Sequence, residues 1–216
     1  MARQFAIMLL RHHLSTYTEA IIRLPFRRKP ASPVNLSELV KYDPTTEYLR
    51  DYPTTERTFA FVDVSEFTNY TQKYGIHAAA QMLTKFRGAV RIVVGRHRVR
   101  VAKWLGDGVM LVGVHSQPVC EAVMELNELF RGDEFFIHSG ICQGSVIIFE
   151  GDDYVGRTVN IASRLSDHAR PSEICVYNLK STNIPKNMKL EKLNDTVMIR
   201  GVGELEGVAS LHYRRR

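Results

Sequence analysis

A chain of 216 residues, 44% hydrophobic and 24% charged, has the make-up of one globular domain with an appendage and argues against a fibre or a disordered protein. Its net charge of +6 invites a nucleic-acid partner, yet residues 1–33 carry +5 and Arg214, Arg215 and Arg216 another +3, leaving −2 for the rest. Basicity confined to the tails is not the footprint of a nucleic-acid-binding face, so none is expected.

In chain order, the longest early apolar run, Phe5 to Leu10, is too short to cross a bilayer and short for a signal peptide, so a cytoplasmic chain with no transmembrane segment is expected. Ile7, Leu10, Leu14, Tyr17, Ile21 and Leu24 recur at helical intervals and predict an amphipathic helix over Phe5 to Leu24. That helix would pack on its own domain, on a sister chain or on a membrane surface, and the patch Arg27, Arg28, Lys29 allows peripheral contact with anionic lipid. Pro25, Pro30, Pro33, Pro44 and Pro53 then punctuate a linker. Residues 1–56 thus read as an N-terminal helix and linker, regulatory or tethering, and residues 57–216 as the main domain.

Within that domain a strand is predicted at Phe59 to Val64, a short helix from Ser65 and a longer one from Ile76 to Val94. Arg98 to Val114 reads as a β-hairpin with Gly106, Asp107 and Gly108 at its tip. A helix over Val119 to Phe130 follows, then strands Glu134 to Cys142 and Ser145 to Glu150 divided by Gln143-Gly144. After a loop from Gly151 to Gly156 come a helix to His168 and strands at Ile174 to Tyr177, Val197 to Arg200 and Val208 to Tyr213. This order predicts an α+β fold with a ferredoxin-like, palm-like βαββαβ core. Cys120, Cys142 and Cys175 lack any CxxC spacing and are expected to be buried thiols.

Two carboxylates, Asp63 closing the first strand and Asp107 at the hairpin tip, suit hard divalent cations, which take one or two carboxylates and leave other positions to water and phosphate oxygens. Asn160 and Arg164 are four apart on a predicted helix, where an amide and a guanidinium one turn apart can grip a sugar and a phosphate. Asp153 stands on the loop just ahead.

FVDVSEFT at Phe61 to Thr68, KWLGDGVM at Lys103 to Met110 and DYVGRTVNIASRL at Asp153 to Leu165 resemble, in order and spacing, the three signature segments of class III nucleotidyl cyclases. The resemblance covers Thr58 to Tyr213. It implies that Asp63 and Asp107 bind two Mg²⁺ or Mn²⁺ ions, that Lys103 and Asp153 read the base, and that Asn160 and Arg164 hold ribose and triphosphate at the transition state. Arg200, in IRGVG, is similar to a basic position near the terminal phosphates. The implied activity is adenylate cyclase, ATP to 3′,5′-cyclic AMP and pyrophosphate in signal transduction, with ATP preferred to GTP because a lysine and an ionised carboxylate complement adenine N1 and N6. The implied assembly is a head-to-tail homodimer whose chains complete each other's sites.

Two departures stand out. Glu66 takes the place of a usual glycine, and Gly140 to Gly156 is short for a dimerisation arm. Tyr154 and Trp104 flank the site residues, as core packing or as walls of a base pocket. The alternatives are a catalytically silent nucleotide-binding or dimerising module and a guanylate cyclase; an RNA-binding domain lacks its basic-aromatic strand, and a diguanylate cyclase its Gly-Gly-Asp/Glu-Glu-Phe segment.

Overall fold

Strand β1 (Thr54–Val64) is the axis of the domain. Its run Phe59 to Val62 is buried on both faces, and the strand pairs antiparallel with β3 (Gly108–Gly113) on one side and β4 (Ile137–Phe149) on the other. The computed structural model describes residues 53–132, 135–149, 151–193 and 196–214. The helix expected at Phe5 to Leu24 and the linker up to Tyr52 lie outside the described residues.

After β1 comes helix α1 (Phe67–His97), which departs from helical geometry at Gly75, so the two helices expected from the sequence meet at a kink. β2 (Arg100–Leu105) and β3 form the hairpin, α2 (Ser116–Leu129) follows, and β4 returns beside β1. The order β2-β3-β1-β4, with each neighbouring pair antiparallel, is the ferredoxin-like arrangement, so the expected α+β class holds. Beyond it lie β5 (Asp153–Val155), paired to β4, helix α3 (Arg157–His168), β6 (Ile174–Tyr177), β7 (Met188–Lys192) and β10 (Ala209–Tyr213), with β8 (Thr196–Ile199) and β9 (Gly203–Glu206) as a separate ribbon. No helix among the described residues is long and apolar enough to cross a membrane.

Side chains alternate across a strand, so β1 divides the core in two. Ala60, Val62 and Val64 meet Phe86 and Val90 of α1 and Val123 and Leu126 of α2. Phe59 and Phe61 meet Ile161 and Leu165 of α3 and Val197 and Ile199 of β8. Each fully buried Phe or Leu contributes about 1.5–3 kcal/mol, so the sheet is gripped from both faces. The same alternation puts Asp63 on the α3 face.

The expected break at Gln143-Gly144 does not occur. Gln143 pairs with Thr58 and Gly144 with Arg57 in an unbroken β1–β4 register. Here glycine serves helix–sheet contact rather than a turn: a Cβ on Gly144 would lie 2.6 Å from Thr158 Oγ1, and one on Gly140 would lie 2.2 Å from both Ala162 O and Ser166 N. Gly140→Ala is therefore expected to lift α3 from the sheet at a cost of about 1–3 kcal/mol, read by urea denaturation.

Glu66 precedes α1 at φ 57°, ψ 27°, the left-handed region that glycine enters without penalty. The departure noted in the sequence is thus also a conformational one. Glu66→Gly is expected to stabilise the fold by about 1 kcal/mol in urea, because a non-glycine residue held left-handed costs roughly that much. The three thiols are buried, and burial pushes Cys120, Cys142 and Cys175 each up to about 12.

Candidate nucleotide-cyclising site

Asp63 and Asp107 meet where β1 ends and the β2–β3 turn begins. Val64 N–H donates to Asp107 C=O at 3.2 Å, and Asp63 pairs in register with Gly108. The Asp63 carboxylate lies directly over Gly108, where a Cβ would fall 1.6 Å from Oδ1, so only glycine leaves the carboxylate its place. Ser166, in the buried stripe of α3, donates its hydroxyl to Asp63 Oδ2 at 2.9 Å. Burial holds the Asp63 carboxyl above the usual range; the Ser166 hydrogen bond and His138 oppose that, while Asp107 and Asp167 add to it. Two half-buried carboxylates side by side are a hard, anionic oxygen set, and they fit a divalent cation completed by phosphate oxygens.

A second pair forms on the same face of the sheet. Lys103 Nζ meets Asp153 Oδ1 at 2.9 Å, fifty residues apart in sequence. A bulge makes this possible: β2 shifts register between Val101 and Lys103, setting Lys103 opposite Met110 and Trp104 opposite Val109. Met110 belongs to the α3-side core and Val109 to the other, so the slip turns Lys103 toward Asp153 and Trp104 toward α1. Tyr154 N–H also donates to Asp153 Oδ1 at 2.8 Å, and Lys103 followed by this backbone bond lowers the Asp153 pKa, keeping the carboxylate ionised.

Trp104 therefore does not share a wall with Lys103; it packs under Arg87 and Arg91. Tyr154 sets its ring edge-on to Phe59 at 5.0 Å, and its hydroxyl accepts a 2.5 Å hydrogen bond from Arg100.

Asn160 and Arg164 are exposed on α3, turned away from the buried stripe of Thr158, Ile161, Ala162, Leu165 and Ser166. Arg164 pairs with Asp167 at 2.8 Å, and its Nε lies 3.8 Å from where a Cβ on Gly201 would sit, beside the β8–β9 turn that carries exposed Arg200. Among the described residues no hydrogen bond or ion pair joins Asn160 or Arg164 to Asp63 or Asp107. One chain thus brings together a carboxylate pair, a lysine–aspartate pair and an amide–guanidinium pair, and leaves the first and last unconnected.

The arrangement has solved counterparts. The guanylate cyclase domain of RhGC from Catenaria anguillulae, in complex with GTP, superimposes with a TM-score of 0.66 at 18% identity, over 76% of this chain and 100% of that one. The adenylyl cyclase CyaB from P. aeruginosa does so with 0.64 at 19%, over 76% and 97%. The chain has the class III cyclase catalytic fold. An uncharacterized protein of Mycobacterium tuberculosis is 34% identical over 116 residues, 53% of this chain and 30% of that protein. The adenylate cyclase of Glutamicibacter nicotianae is 22% identical over 153 residues, 69% of this chain and 38% of its own length. The chain thus matches well under half of either relative. No protein-family model matches it.

Sequence reasoning missed two neighbours of the carboxylates in this cyclase fold. Ser166 was legible as the last polar residue in the otherwise largely apolar stripe of α3. His138 was not: it sits opposite Asp63 in the β1–β4 register, and its Nδ1 shares a 2.9 Å hydrogen bond with Ser65 Oγ.

Proposed function

We propose that this chain is an adenylate cyclase that converts ATP to 3′,5′-cyclic AMP and pyrophosphate at sites completed by a second copy of itself, residues 57–216 forming the catalytic domain and residues 1–56 a regulatory or tethering segment. The observation that carries the reading is the Lys103–Asp153 pair, brought to 2.9 Å on the face of the sheet that also holds Asp63. Its side chains are 43% and 48% exposed, so the ion pair is worth at most about 1 kcal/mol and a base can displace it at little cost. The ammonium then donates to adenine N1, and the ionised Asp153 accepts from the N6 amine. Guanine would turn a carbonyl toward that carboxylate and leave both groups mispaired, at about 1–3 kcal/mol each.

Asp63 and Asp107 would hold two Mg²⁺ or Mn²⁺ ions, which when bound supply charge neutralisation on the triphosphate and acidify the ribose 3′-hydroxyl. Ser166 fixes the orientation of the Asp63 carboxylate. Asn160 orients the ribose for in-line attack on the α-phosphorus. Arg164, always protonated, releases the exposed Asp167 and faces the charge that develops at the phosphate, and Arg200 neighbours the terminal phosphates. Because, among the described residues, no hydrogen bond or ion pair links Asn160 or Arg164 to Asp63 or Asp107, a head-to-tail homodimer supplies them to the partner's metal-binding pair.

Purified protein with Mn²⁺ and either ATP or GTP, the product identified by mass, is expected to yield cyclic AMP from ATP at least about thirtyfold faster than cyclic GMP from GTP, the ratio implied by two mispaired groups at about 1 kcal/mol or more each. One feature favours the silent-module reading: the Glu66 carboxylate sits at the α1 N-terminus, where a helix would otherwise attract phosphate. No cyclic nucleotide from either substrate at high protein concentration would decide for that reading.

A further inference from the structure

The turn that carries Asp107 is held from two directions. On one side Asp107 C=O accepts Val64 N–H of β1 at 3.2 Å. On the other, Arg87 of α1, nineteen residues earlier in sequence, donates Nη2–H to Gly106 C=O at 3.0 Å. The same guanidinium stacks on Trp104, its carbon 5.1 Å from the ring centroid. Arg91, one helical turn on, stacks on that ring at 5.3 Å.

Gly106 has φ +71°, so the two-residue turn is built around its most permissive position. A hinge there would rock Asp107 against Asp63, and two carboxylates bind one cation site well only if their separation is held. Clamping both carbonyls of the turn removes that freedom. The electrostatic effect of Arg87 has the opposite sign, since a cation near the turn repels metal ions; the direction in which affinity moves therefore separates the clamp from the charge.

We propose that Arg87 is a positioning residue that sets the divalent-cation affinity of the Asp63–Asp107 pair by bracing the turn through the Gly106 carbonyl. The inference rests on the reading of those carboxylates as a cation site given above. It makes α1 part of that site although Arg87 touches neither carboxylate, and it gives Trp104 the role of a flat seat for the guanidinium.

The test is titration with Mn²⁺ alone, followed by loss of the free-ion resonance signal and, independently, by quenching of Trp104, the single tryptophan of the chain. Arg87→Ala is expected to weaken Mn²⁺ binding about tenfold, the lower end for outer partners of metal ligands. Arg87→Lys, which can still donate to the carbonyl, should recover most of that loss. Arg91→Ala, which removes a stacking partner of Trp104 but no hydrogen bond to the turn among the described residues, should bind as wild type does. If Arg87→Ala does not fold, Arg87→Gln, whose amide falls short of the carbonyl, carries the same expectation. Unchanged or tighter binding in Arg87→Ala or Arg87→Gln, or equal weakening by Arg91→Ala, overturns the proposal. Asp107→Ala is the separate control: if it binds Mn²⁺ as wild type does, or if wild type binds none, the cation-site reading itself fails, and the proposal with it.

Discussion

Replacing Asp63 with asparagine is expected to lower cyclase activity about a thousandfold while making the metal-free fold more stable at neutral pH. The loss follows from the several kcal/mol of transition-state stabilisation that metal-assisted chemistry supplies, at about 1.4 kcal/mol per decade of rate. The gain follows from the sign of the pKa shift. Burial raises the folded-state pKa of Asp63 above its unfolded value of 3.8, so between those two values the folded chain binds the proton more tightly than the unfolded chain does. Stability from this group is present below that window and falls as pH rises through it. Asparagine fills nearly the same space, keeps an acceptor for the Ser166 hydroxyl and has no charge to bury. Melting temperatures of wild type and variant, scanned over pH without metal, should therefore diverge upward from pH 3.8, the variant melting higher, and the divergence should shrink when Mn²⁺ is added. A variant that is inactive and also less stable at neutral pH would mean that Asp63 serves the fold rather than the chemistry.

Mixing an Asp107→Ala chain with an Arg164→Ala chain is expected to restore activity that neither has alone. Asp107 sits in the β2–β3 turn and Arg164 on the exposed side of α3, paired with Asp167, and no hydrogen bond or ion pair joins the two among the described residues. If each site takes its carboxylates from one chain and its guanidinium from the other, a mixed dimer contains one site with neither defect and one with both. Random exchange makes about half the dimers mixed, each with one of two sites intact, so activity should recover to about a quarter of wild type in a closed two-fold assembly. Product formation is measured against the mixing ratio, and its maximum should lie at equal amounts. Two variants that stay inactive at every ratio while exchanging subunits would place each complete site within a single chain.

The parts of the domain that could be read beforehand are those whose pattern has one physical cause. The apolar run of β1, the i, i+3, i+4, i+7 stripe of α3 and the continuous apolar β6 each follow from burial, and their placement was legible to within a few residues. Where two causes compete, the reading failed. Gly144 reads as a turn, since glycine commonly marks one, but tertiary packing recruits it to admit Thr158. β7 and β9, Met-Lys-Leu-Glu-Lys and Gly-Glu-Leu-Glu, pass unnoticed because an edge strand and a two-stranded ribbon bury few side chains. For the site, the polar residues were visible as types and spacings, whereas the bulge at Ala102 was not. An unbulged β2 would put Lys103 opposite Val109, on the α1 side, and Asp153 would have no partner. No residue in Arg-Val-Ala-Lys-Trp announces that slip, which leaves the Trp104 ring beneath two arginines of α1.

The three buried thiols also make this chain a convenient object for spectroscopy. With every native cysteine inaccessible and its thiolate suppressed, a maleimide spin label added to a variant with one new surface cysteine, such as Ile76→Cys at a position 74% exposed, should react there alone. A single label per protomer then turns any self-association into one measurable interspin distance, obtained without first stripping out the residues that pack the core.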